Sequence, residues 1–170
     1  MELALSLFIF FNVFYFIGLM KKDFSIIDTA WGLSFLLIYV VGALTTTKGS
    51  IDTRSLLVGV FTFVWAVRLS GYIFYRSLKT GKEDYRYAAW REEWGEKANF
   101  NFYIRVYMLQ AVLAAAVAYP LFLLNRFSTE VVFGTALDYV GTLLFIMGFL
   151  FEAIADYQKN TFKNDLMNKG

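Results

Sequence analysis

Apolar residues gather along this chain in five long runs, at positions 3–20, 26–44, 56–75, 106–124 and 140–155. The hydrocarbon core of a bilayer is about 30 Å thick and a helix rises about 1.5 Å per residue, so roughly 20 mostly apolar residues cross it. The pattern therefore predicts an all-α fold, a polytopic bundle of five transmembrane helices. Polar punctuation separates the runs: Lys21 and Lys22 close the first, three threonines with Lys48, Gly49 and Ser50 follow the second, and Arg76 ends the third. The fourth contains the single proline, Pro120, which neighbouring helices tolerate as a kink. The fifth continues beyond its apolar part as a charged helix. No basic residue precedes the first run, and Lys21 stands where a signal peptide would carry its small-residue cleavage site, so the first run reads as a retained helix.

The basic residues set the expected orientation. Twelve of the 16 fall on one side: Lys21, Lys22, seven between Arg76 and Arg105, and Lys159, Lys163 and Lys169. Three fall on the other (Lys48, Arg54 and Arg126), and Arg68 lies inside the third span. Cytoplasmic loops hold the excess of lysine and arginine, so the N-terminus is expected outside, with the 76–105 loop and the C-terminus in the cytoplasm. That loop is too long to be a plain connector. Its Tyr87, Arg91 and Trp94 recur at i, i+4 and i+7, predicting a short amphipathic helix that lies on the membrane or caps the bundle.

Composition narrows the function classes. Apolar residues make up 58% of the chain and charged ones 18%, which excludes disorder. A net charge of +2 is far from the surplus that neutralises nucleic-acid phosphates, so no nucleic-acid partner is expected. With no cysteine and no histidine, thiolate chemistry, the commonest general base and the commonest metal ligands are all missing; no metal site is expected. Neither a glycine-rich dinucleotide fingerprint, a P-loop, a Gly-x-Ser-x-Gly elbow nor a His-Glu-x-x-His helix occurs. Any chemistry must come from carboxylates, tyrosines, basic groups and a borrowed cofactor.

Ionisable groups at membrane depth are costly, about 2.5–3.5 kcal/mol for a central charge, and they normally face the protein interior with a partner. Asp28 opens the second span, with Trp31 and Gly32 on its helical face; it is either a first-turn carboxylate favoured by the helix dipole or part of a site. Arg68 is the deepest cation, and Tyr72, Tyr75 and Arg76 continue its stripe. It is expected to point inward, as a partner for Asp28 or a tyrosine. Glu152, Asp156, Lys159 and Lys163 share one stripe of the fifth helix, and Glu152 sits among Phe149, Leu150, Phe151 and Ile154 as if buried by design.

Taken together, Asp28-Thr29-Ala30-Trp31-Gly32, Arg68, Glu83-Asp84-Tyr85-Arg86-Tyr87 with Arg91 and Trp94, and Phe151-Glu152-Ala153-Ile154-Ala155-Asp156-Tyr157-Gln158-Lys159 resemble the uncharacterised branch of the steroid 5-alpha-reductase-like integral membrane proteins. The resemblance implies reduction, by NADPH, of a C=C bond conjugated to a carbonyl in a steroid or other lipid, within a bacterial inner membrane or an endoplasmic-reticulum-type endomembrane. Asp28, Arg68 and Tyr72 are the candidate catalytic residues, polarising the carbonyl; a buried Asp28 that kept its proton would be a donor. Asp156-Tyr157 matches the Asp-Tyr of the family's cofactor helix, Lys163 falls where that helix has arginine, and Glu152 replaces its asparagine. Lys82, after Gly81, resembles half of a Gly-Arg pair that contacts cofactor phosphate. Lys82, Glu152, Asp156 and Lys163 are thus the candidate NADPH-binding residues.

The family's Tyr-Ser-Arg-His-Pro-Asn-Tyr-x-Gly-Glu stretch is not present. Residues 1–170 are accordingly expected to be a single but incomplete domain, inactive by itself and completed by a C-terminal fragment or an oligomer. Two other readings stand beside the reductase. One is an S-adenosylmethionine-dependent lipid or isoprenylcysteine-type methyltransferase; the other is a non-catalytic membrane subunit.

Overall fold

A computed structural model of the chain describes residues 1–45, 51–126 and 132–165, apart from the side chains of Arg126, Lys163 and Asn164. Lys48 and Lys169 of the basic pattern lie outside the described residues. No strand occurs among the described residues, and five helical stretches are long and apolar enough to span a membrane. The expected all-α membrane fold is the observed one. The chain divides into two compact units, 1–128 and 129–170.

The first unit contains α1 (Glu2–Lys21), α2 (Ile26–Leu44), α3 (Thr53–Thr80), α4 (Tyr85–Trp94), α5 (Ala98–Asn101) and α6 (Leu109–Arg126), with a π-helical stretch, Phe102–Met108, joining α5 to α6. Helix α2 is the central one and packs against α1, α3 and α6. Small residues make this possible, because membrane helices associate by close packing rather than by hydrophobic expulsion. A Cβ on Gly32 would meet the Ser70 side chain and the Ala66 carbonyl of α3, and one on Gly42 would meet the Phe122 backbone of α6. Ten residues separate the two glycines, which turns them roughly 80° apart around the helix, onto faces toward different neighbours.

Polar ties sit at one end of this packing. The Tyr39 hydroxyl donates to the Ser55 carbonyl (2.8 Å), the Ser55 hydroxyl to the Leu124 carbonyl (3.4 Å) and the Asn125 amide to the Tyr39 carbonyl (3.2 Å). Three helices are thereby joined where no water would satisfy those carbonyls.

Helix boundaries run past the apolar runs. Helix α3 continues beyond Arg76 to Thr80 and stops at Gly81, whose φ of 62° is the left-handed cap that favours glycine. The fourth crossing likewise begins at Ala98, well before Val106, after a turn at Gly95 (φ 50°). The expected 76–105 loop is therefore much shorter. Its short helix is α4, and α4 caps the bundle: Tyr87 is buried, while Arg91 and Trp94 are half-buried on the same face. In the π-helical stretch Phe102, Val106 and Tyr107 all face the core, at 0%, 7% and 0% exposure.

The second unit is built on α7 (Ala136–Asn164). A capping box starts it: Thr135 donates from N and Oγ1 to the Asp138 carboxylate, both at 2.9 Å. The helix extends through the charged segment to Asn164, as its sequence predicts.

Candidate functional site

The densest polar cluster lies where the α1–α2 turn meets the α3–α4 link. Helix α1 ends with Lys22 in the left-handed region (φ 55°), and Asp23 closes the turn by accepting from the Ser25 N–H (2.9 Å) and hydroxyl (2.5 Å). This places Phe24 in the core, its ring 4.2 Å from that of Phe102. On the other side, Gly81 turns the chain out of α3, and Asp84 caps α4 by accepting from the Arg86 N–H (3.1 Å).

Two carboxylates then fasten α4 to the turn. Glu83 accepts from the Phe24 N–H (2.8 Å) and from Nη2 and Nε of Arg91 (2.7 and 3.1 Å). The same guanidinium donates to the Lys22 carbonyl (3.2 Å) and lies over the Phe24 ring, 5.0 Å from its centroid. Asp28 accepts from the Tyr87 hydroxyl at Oδ1 (2.6 Å) and from Arg86 Nη2 at Oδ2 (2.8 Å). Arg86 is shared, since its Nε also donates to Asp84 (2.9 Å). Burial raises the Tyr87 hydroxyl well above the ordinary tyrosine range, and the adjacent Asp28 charge and hydrogen bond add to the effect. Tyr87 thus keeps its proton and remains a donor.

Of the candidate catalytic residues, Asp28 is central to this cluster. The acidic hydrogen in it belongs to Tyr87, and Asp28 is the acceptor on both oxygens. Arg68 and Tyr72 lie one turn apart on α3, both half-buried, with two guanidinium nitrogens of Arg68 inside the protein. The contact between Gly32 and Ser70 fixes the register of α2 against α3, and it staggers Asp28 and Arg68 by about 9 Å along the helices. The α3 residues level with Asp28 are Ile73, Arg76 and Ser77. With Ser25, Thr80, Lys82 and Asp84 they enclose a cavity of about 50 Å³, room for a water molecule. Lys82 also borders a larger cleft beside it. Glu152 and Asp156 stand one turn apart on α7, both half-buried, and the Lys163 side chain lies outside the described residues.

Sequence reasoning did not place Arg86, Tyr87, Glu83 or Arg91 in the site. The signal was available: all four belong to the one polar segment that interrupts the apolar runs with aromatic and charged residues in alternation. Residues 14–170, which include the whole cluster and the α7 stripe, match the family described as protein of unknown function, DUF1295. The chain belongs to that family. Neither the curated proteins nor the solved structures give a match. Among the described residues no group of three or more acidic, histidine or cysteine side chains could hold a metal ion.

The caps of this DUF1295 chain have a pH dependence that can be measured. Burial pushes the Asp84 carboxyl up, but its two hydrogen bonds from Arg86 outweigh this and hold it below the ordinary 3.8. A carboxylate favoured by the fold stabilises it above pH 3.8, and that contribution is lost as pH falls through the lower folded value. Trp90 and Trp94, stacked 5.7 Å apart, report on α4. Their fluorescence should change as pH falls below 3.8, and Asp84→Asn should remove part of the change. An identical acid transition in that variant would dissociate Asp84 from the capping role.

Proposed function

We propose that the chain is the membrane part of an NADPH-dependent reductase acting on a C=C bond conjugated to a carbonyl in a steroid-like or other lipid. The observation that carries the reading is the Tyr87 hydroxyl, buried, protonated and held 2.6 Å from Asp28 beside the Arg86 guanidinium. NADPH, when bound, supplies a hydride to the β carbon of the substrate. As that bond forms, the C=C electron pair moves onto the carbonyl oxygen. A donor placed there stabilises the developing enolate, a larger effect in a water-poor site than in solution. Tyr87 suits that role when its one hydroxyl hydrogen turns from Asp28, its acceptor in this structure, to the substrate oxygen; a proton from water on the α carbon completes the reduction. Arg68 and Tyr72, deeper on α3, remain candidates for contact with the same oxygen or with the lipid body. Glu152, Asp156 and Lys163 of α7 are proposed cofactor contacts, Lys163 toward phosphate and Asp156 toward the ribose or carboxamide.

The membrane is proposed to be a bacterial inner membrane or an endomembrane, with the α1–α2 turn and α4 on its cytoplasmic side. A cysteine replacing Gly81 should react only with a reagent admitted to the cytoplasm, and one replacing Ile51 only from outside. Reaction of both from one side would reverse or abolish the five-span topology.

Titration of NADPH and of S-adenosylmethionine against the chain, alone and joined to a C-terminal segment carrying the family's His-Pro-Asn-Tyr motif, tests the activity class. A response to NADPH, stronger in the joined form, is expected. Tight S-adenosylmethionine binding with no NADPH response would replace the reductase by a methyltransferase. Silence toward both would leave a non-catalytic membrane subunit.

A further inference from the structure

Beside the Asp28 cluster, an open cleft of about 480 Å³ separates the α1–α2 turn from the end of α3. Three lysines converge on it, Lys21 and Lys22 from one side and Lys82 from the other. Two carboxylates border it as well: Glu83 is paired with Arg91, while Asp23, hydrogen-bonded to the neutral Ser25, offsets only part of the lysine charge. The three ammonium groups have no ion-pair or hydrogen-bond partner among the described residues. The cleft therefore carries uncompensated positive charge. Its remaining walls include Ile26, Phe74 and Leu78, the last two with exposed apolar side chains.

We infer that this cleft binds the phosphate of an anionic phospholipid, with Lys21, Lys22 and Lys82 around the headgroup and Phe74 and Leu78 against the first part of an acyl chain. Two features decide the class. Compact ammonium charges suit a phosphate as point charges, and they stand where the apolar run of α1 gives way to polar chain, the depth of a lipid headgroup. The apolar walls decide the source. A phospholipid covers Phe74 and Leu78 with its own chain, whereas a soluble phosphate or nucleotide leaves them in water. The family resemblance gives Lys82 to the cofactor; the residues around it in the cleft favour the lipid.

The test uses the full chain, stripped of lipid in a neutral detergent and titrated by native mass spectrometry with dioleoyl phosphatidylglycerol and dioleoyl phosphatidylcholine. A juxtamembrane lysine contributes about fivefold to binding of an anionic lipid, so three predict a preference for phosphatidylglycerol of about a hundredfold. Lys82→Gln alone should weaken that lipid about fivefold, and Lys21→Gln/Lys22→Gln/Lys82→Gln should erase the preference. Lys97→Gln, exposed and outside the cleft, should leave it intact. Equal binding of the two lipids, or a preference that survives in the triple variant, would overturn the proposal. Inorganic phosphate and NADPH form the competing arms. NADPH bound through these lysines and displacing phosphatidylglycerol would assign the cleft to the nucleotide, removing the lipid site while leaving the reductase reading in place. Failure of NADPH to bind the chain joined to the family's C-terminal segment, with the lipid preference intact, would remove the reductase reading alone.

Discussion

Tyr87→Phe should lower turnover about 10²–10³-fold in whichever form of the chain reduces a conjugated lipid ketone, the usual loss when one oxyanion donor is removed. The fold should survive. The ring of Tyr87 keeps its packing, edge-on to Trp90 at 5.4 Å and stacked with Phe102 at 6.1 Å, and Asp28 keeps Arg86. The lost hydrogen bond costs about 1 kcal/mol of stability. Asp28→Asn separates orientation from acidity. An asparagine oxygen can still accept from Tyr87, but its amide then faces Arg86, a donor against a donor, so both turnover and α4 docking should weaken. The informative comparison is kcat against KM. Loss in kcat for Tyr87→Phe marks an interaction made in the transition state, and loss confined to KM marks ground-state binding. Unchanged turnover in Tyr87→Phe would remove it from the chemistry and return the carbonyl to Arg68 and Tyr72.

Glu83→Ala is expected to be the most destabilising single change in the α3–α4 link. It deprives the Phe24 N–H of its acceptor and the Arg91 guanidinium of its carboxylate at once, leaving Arg91 the Lys22 carbonyl. Glu83 is only 13% exposed, so water replaces it poorly, and hydrogen bonds to charged groups contribute about 1.5–3 kcal/mol. A loss of about 2–3 kcal/mol is therefore expected, read as a lower Tm in detergent and as earlier release of the Trp90–Trp94 pair. Glu83→Gln keeps one acceptor and should lose less. A change below about 0.5 kcal/mol would mean that this pair behaves as an ordinary solvated surface bridge.

Both variants turn on α4, and α4 shows where sequence reasoning reached its limit. The i, i+4, i+7 spacing of Tyr87, Arg91 and Trp94 predicted the helix and its inner face. Spacing within one helix cannot name the residues that the face will meet. Asp28 had a plausible partner in Arg68, the only cation inside a span, and its pairing with Arg86 and Tyr87 joins positions 58 and 59 residues apart. The boundaries follow the same logic. Apolar runs mark where lipid begins and ends, whereas a helix stops where its last carbonyls find a cap, at Gly81 for α3.

What the sequence determined by itself is the all-α class, the five spans and the residues whose charge is out of place at membrane depth. These are consequences of one dimension, the thickness of the hydrocarbon core measured against the rise of a helix, and of the cost of charge within it. The tertiary structure alone decided which of those charges meet. Gly32 against Ser70 sets the register of α2 and α3, the left-handed turns at Lys22 and Gly81 aim two distant segments at each other, and Asp28 and Glu83 find their partners only after that convergence. The physical reason is range: hydropathy is a local property summed along the chain, whereas a hydrogen bond 2.6 Å long depends on the packing of every helix between its ends.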